Sequence, residues 1–125
     1  MLLIDANAIL RYMLRDNPEM ADEVKNLLVS SRVFVRYEVL AEVVYVLYKV
    51  YSLPKNEIVD GIGVFLAQSN VETESSCVLS FALMTYAEKS LDFVDCLLYA
   101  YVVVKGCSVY SFDKQLVKLI KNLSE

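Results

Sequence analysis

The sequence contains no histidine. That absence excludes imidazole-based triads and the usual His/Cys zinc sites. Proton transfer near neutral pH is left to a perturbed carboxylate, a lysine or tyrosine, or a metal-bound water. Cysteine is scarce: Cys77, Cys96 and Cys107 are an odd number without zinc-ligand spacing. They read as small core residues of a protein in a reducing compartment, and a cytoplasmic location is expected. Long hydrophobic runs are missing too. The most apolar stretches are cut by Glu42, Lys49, Asp92 and Asp95 before they reach bilayer length, so no membrane association is expected. No basic segment precedes an apolar one in the manner of a secretory signal. Positive charge is in deficit, with 12 Lys and Arg against 16 Asp and Glu. The resulting net charge of −4 and pI of about 4.8 argue against coating nucleic acid by bulk charge. They leave room for an acidic pocket neutralised by bound metal ions.

What is present is apolar. Hydrophobic residues make up 57% of 125 residues and mean hydropathy is +0.44, enough for one domain over 1–125 with a doubly covered sheet or a large subunit interface. Leu2, Leu3 and Ile4 read as a buried strand whose carboxyl end delivers Asp5 and Asn7 to a following helix. Asn17 and Pro18 open a second helix. Val33–Val35 is β-prone. Tyr37–Tyr51 is helical by its apolar spacing, and Pro54 opens a further helix weakened by Gly61 and Gly63. Val71–Thr73 reads as a short strand and Cys77–Glu88 as a helix. Ser90 is placed to cap a helix over 91–105 that stops at Gly106. Ser108–Ser111 reads as the last strand, before a terminal helix begun by Asp113. Strands alternating with helices predict an α/β fold, a short parallel sheet flanked by helices on both faces.

Four acids invite a chemical reading. Asp5 and Asp113 each follow a strand's carboxyl end, where open α/β sheets bind ligands, although either can equally cap the helix behind it. Glu42 lies in an apolar helix, on a polar stripe with Glu38, Tyr45 and Lys49 that is also an ordinary solvated face. Asp92 and Asp95 share one helix face. Asp92 falls in the first turn, where the helix dipole favours it, and Asp95 is expected one turn deeper among apolar residues, where an unpaired charge is costly. Carboxylates gathered in one pocket raise each other's pKa and need a cation. An all-oxygen site suits Mg²⁺ or Mn²⁺. Two such ions roughly 3.5–4 Å apart would activate a water and stabilise both oxygens of a phosphodiester displacement.

Asp5-Ala-Asn7, Glu42 in Leu-Ala-Glu-Val-Val-Tyr-Val-Leu, Asp92-Phe-Val-Asp95 and Ser111-Phe-Asp113 resemble, in order and spacing, the motifs of PIN-domain nucleases. Among these the chain is most similar to VapC-type toxins of prokaryotic toxin–antitoxin pairs. The resemblance implies a PIN fold, a Mg²⁺- or Mn²⁺-dependent ribonuclease acting on RNA, and a cognate VapB-like antitoxin as partner. It implies Asp5, Glu42, Asp95 and Asp113 as metal-binding acids, Asp92 as an accessory acid, and Asn7 and Ser111 as residues that shape the pocket.

Arg11, Arg15, Arg36 and Lys114 are candidates for phosphate contact. Two other functional classes are considered. A phosphatase of the haloacid-dehalogenase type needs a second Asp where Asn7 stands, and a PIN-like scaffold would bind a partner without catalysis. Tyr12, Tyr45, Tyr48, Tyr51, Tyr99 and Tyr101 suggest a homodimer, tyrosine being favoured at interfaces.

Overall fold

The computed structural model describes residues 1–124. The chain forms two compact units that divide after Glu74. The first contains β1 (Leu2–Leu3), α1 (Ala6–Leu14), α2 (Pro18–Ser30), β2 (Val33–Val35), α3 (Tyr37–Lys49), α4 (Lys55–Leu66) and β3 (Val71–Thr73). The strands form a parallel sheet in the order β1-β2-β3, with Leu2 beside Val33 and Val33 beside Val71. Two helices fill each crossover, since parallel neighbours cannot be joined by a tight turn.

Middle strand β2 is the best covered: Val33 and Val35 on one face are fully buried, and Phe34 on the other is half-buried. In α3, helical spacing puts Leu40, Val43, Val44 and Leu47 on one buried face. Removing each such side chain from water is worth about 1.5–3 kcal/mol. The start of α2 is fixed locally. The Met20 N–H donates to the Asn17 side-chain oxygen at 3.1 Å, and Pro18 occupies the first turn, where a missing N–H costs nothing. The start of α3 is fixed from a distance, because the Tyr37 N–H donates to the Glu74 carboxylate at 2.7 Å.

One expectation for this unit is corrected. Leu2 and Leu3 are 40% and 62% exposed rather than buried. Their strand has only two residues and lies at a sheet edge, so hydropathy gave the strand its identity but not its cover.

The second unit contains α5 (Ser76–Glu88), α6 (Phe93–Lys105) and α7 (Lys114–Asn122). Helices α5 and α6 pack together, and α7 meets α6. Tyr86 and Phe93 meet edge to face with ring centres 5.8 Å apart, a favoured aromatic geometry. Helix α6 ends at Gly106, whose φ of 70° is the left-handed conformation a side chain would resist.

Three expectations are corrected here. Helix α6 starts at Phe93, two residues later than its apolar pattern suggests, and extended Asp92 rather than Ser90 stands at the cap position. Ser108–Ser111 is not a strand. Its β-prone residues lie in a non-helical segment that joins no ladder among the described residues, and a strand exists only where a neighbour takes up its backbone groups. Tyr110 and Phe112 there are 87% and 88% exposed, with their rings against each other at 5.5 Å. Of the cysteines only Cys96 is a core residue, while Cys77 and Cys107 are exposed.

The two glycines of α4 differ. A methyl group at Gly61 would meet Met13 Cε at 2.8 Å, whereas one at Gly63 would meet nothing within 4 Å. Gly63→Ala is therefore expected to stabilise the protein by up to about 1 kcal/mol, the helix-propensity difference. A thermal melt should show a rise of about 2–4 °C; an unchanged or lower midpoint would contradict this account of α4.

Candidate functional site

In the first unit, Asp5 ends the short segment after β1 and serves as the cap of α1. Its Oδ1 accepts the Ala8 N–H at 2.9 Å, and the side chain is otherwise exposed. The capping role is thus real, and it leaves the second carboxylate oxygen for other work. Asn7 is exposed in the first turn of α1. Glu42 is exposed on α3, so its apolar sequence neighbours do not bury it.

Asp5 and Asn7 open onto a cleft of about 490 Å³ between α1 and α2. Arg11 lines it one turn further along α1, and Glu23, Asn26 and Ser30 face it from α2. Sequence reasoning missed these α2 residues. Their signal was the polar set recurring beside the apolar stripe of Met20, Val24 and Leu27.

In the second unit, Asp92, Asp95 and Asp113 form an electrostatic group. Asp95 is half-buried, and Asp92 and Asp113 are exposed. Burial first, then the charges of Asp113 and Asp92, push the Asp95 carboxyl above its ordinary value. Asp95 lies within the first turn of α6 rather than a turn deeper. Desolvation and repulsion therefore act against the helix dipole and outweigh it. No ion pair involves any of the three among the described residues. Asp113 caps α7 by accepting the Leu116 N–H at 2.8 Å, and the half-buried Ser111 hydroxyl accepts the Asp113 N–H at 3.0 Å. Ser111 thereby orients the backbone at Asp113.

The basic candidates are mostly occupied. Arg11 Nη1 lies 2.6 Å from Asp16, Arg15 Nη2 2.8 Å from Asp22, and Arg36 Nε donates to Glu38. Lys114, exposed at the start of α7, has no ion-pair partner among the described residues. Exposed pairs are worth only about 0–1 kcal/mol, so a phosphate can displace them. Arg11 differs from the rest. Its hydrogen bond to Tyr51, and, against the opposing effect of burial, the Asp16 charge, raise its pKa further. Its Nε is buried without a hydrogen-bond partner.

The donors in both units are hard oxygens, which suit Mg²⁺, Mn²⁺ or Ca²⁺ and not zinc or copper. Asp95, whose carboxyl is pushed above its ordinary value by burial and then by like charges, is a carboxylate that a cation would favour. The donor chemistry fits a divalent ion, although among the described residues no three acids or cysteines stand close enough to share one. No helix of the described residues is long and apolar enough to cross a membrane.

The PIN domain family matches residues 2–122, so the chain belongs to the PIN domain family. PIN domains are generally nucleases that use divalent metals. No curated protein and no solved structure matched the chain.

Proposed function

We propose that this single PIN domain is a Mg²⁺- or Mn²⁺-dependent endoribonuclease, and that it is the toxin of a toxin–antitoxin pair with a VapB-like antitoxin as its inhibitor. The observation that carries the catalytic reading is Asp95, half-buried beside Asp92 and Asp113, with no cation among the described residues paired to any of them. Carboxyls shifted by burial and like charges cluster at functional sites. Asp5, Glu42, Asp95 and Asp113 are the metal-holding acids in this reading, with Asp92 accessory. The ion, when bound, supplies an activated water and neutralises charge at the phosphodiester. The protein's own part is to hold the acids. Asp5 and Asp113 are each fixed by a helix-cap hydrogen bond, Ser111 fixes the backbone behind Asp113, and Asn7 offers a carboxamide beside Asp5.

The test is cleavage of labelled single-stranded and stem-loop RNA by the full chain. Internal cuts that require Mn²⁺ or Mg²⁺ and stop with chelator are expected. Hydrolysis of p-nitrophenyl phosphate without RNA cleavage would favour the phosphatase class instead. Mn²⁺ is also expected to raise the melting temperature by several degrees, through binding to the folded state only. Asp5→Asn should remove most of that rise; a variant that keeps it whole would take Asp5 out of the metal site. A non-catalytic scaffold would show neither cleavage nor shift.

A homodimer is proposed on the same footing. Tyr45, Tyr48 and Tyr51 are 62%, 41% and 42% exposed, and aromatic side chains on a surface favour association. Light scattering at micromolar concentration should give twice the chain mass, and a clean monomer would reject the dimer.

A further inference from the structure

The cleft between α1 and α2 has features that capping and metal binding leave unused. Its volume of about 490 Å³ lies in the range of small-ligand sites, about 300–1,000 Å³, and accommodates one nucleotide. Ala8, Val24 and Leu27 give it an apolar lining suited to the face of a flat ring. Around that lining stand the Asn7 and Asn26 carboxamides and the Glu23 carboxylate. A carboxamide offers a donor and an acceptor side by side, the pattern complementary to the N6 and N7 edge of adenine. A carboxylate accepts from an exocyclic amino group. Arg11 brings a permanent positive charge to the same cleft, shared with Asp16 at 2.6 Å, and its buried Nε has no hydrogen-bond partner among the described residues. Asp5 is among the residues lining the cleft, so a base held there belongs to a nucleotide close to Asp5. Unpaired RNA bases are commonly read in this way, splayed out and hydrogen-bonded along their edges.

We propose that the α1–α2 cleft is a base-reading subsite, in which Asn26 with Glu23 selects an amino-bearing base, adenine foremost, and Arg11 holds the attached phosphate. This rests on the ribonuclease reading for its biological use, but the binding itself does not need catalysis. Asn26 and Glu23 are exposed on α2, so replacing them leaves the core intact.

The experiment has two arms. In the first, adenosine monophosphate and uridine monophosphate are titrated into the full chain and followed by NMR shifts of α1 and α2 amides. Adenosine monophosphate should bind at least 5-fold tighter than uridine monophosphate, and Asn26→Ala should reduce that preference to below 2-fold. In the second, a pool of single-stranded RNAs is cleaved and the bases flanking each cut are counted. The parent should favour adenine on one side of the cut, and Asn26→Ala and Glu23→Gln should each flatten the profile. If neither nucleotide perturbs the cleft amides, or Asn26→Ala keeps the full preference, the subsite is overturned whatever the cleavage result. If the nucleotides bind as expected and no RNA is cut, the ribonuclease reading fails and the subsite stands.

Discussion

Asp95→Asn is expected to lose more than about 100-fold in RNA cleavage under saturating Mn²⁺. Residues that merely support metal ligands typically cost 10–100-fold when removed, and a ligand should exceed that range. Asp92→Asn should fall within it and recover partly as Mn²⁺ is raised, since exposed Asp92 would tune affinity rather than hold the ion. The structure sharpens the contrast between the two acids. Asp95 is the half-buried one, and its carboxyl is pushed up by burial and by Asp113 and Asp92.

A second readout of the same variant is independent of catalysis. A carboxyl whose pKa is raised on folding holds its proton more tightly in the folded state. The metal-free parent therefore keeps its full stability below the ordinary carboxyl range near 4 and loses some as pH rises through the raised value. Asp95→Asn has no such loss. At pH 7 without metal it should melt higher than the parent, and the gap should close toward pH 3. If Asp92→Asn is the dead variant and Asp95→Asn the one that metal restores, the two roles are exchanged.

The largest expected effect on stability is at Phe65. It is fully buried near the end of α4, and its ring lies 5.9 Å from that of Tyr12. Tyr12 is itself tied down, because Gln68 Nε2 donates to its hydroxyl at 2.8 Å. Phe65→Ala removes a whole ring from a region with little freedom to collapse. The expected loss is about 3–5 kcal/mol, a large part of the 5–15 kcal/mol that holds a typical domain. Urea unfolding should show it as a much lower midpoint with an unchanged slope. Tyr12→Phe keeps the ring contact and loses only the hydrogen bond, so it should cost about 1 kcal/mol. A Phe65→Ala loss below that of Tyr12→Phe would mean that the ring pair does not anchor α4.

What the sequence determined by itself is what one helical turn or one strand can express. Asn17 with Pro18 started α2 as expected, Gly106 ended α6, and Asp113 capped α7, because each signal acts on backbone groups within a few residues. The acids of the motif were legible as residue types at fixed spacing. So was the family, because its signature is an ordered set rather than one strong element. The tertiary structure decided everything that depends on a partner far along the chain. Ser108–Ser111 has the composition of a strand, yet it joins no ladder among the described residues. Leu2 and Leu3 are apolar and still exposed, since cover at a sheet edge comes from elsewhere. Arg11, Arg15 and Arg36 looked available until Asp16, Asp22 and Glu38 were placed beside them. Glu74 closes the start of α3 from 37 residues away. The raised Asp95 carboxyl belongs to this second group as well. Its local position favours the charge through the helix dipole, and burial first, then the repulsion of distant Asp113 and of nearby Asp92, reverses that preference.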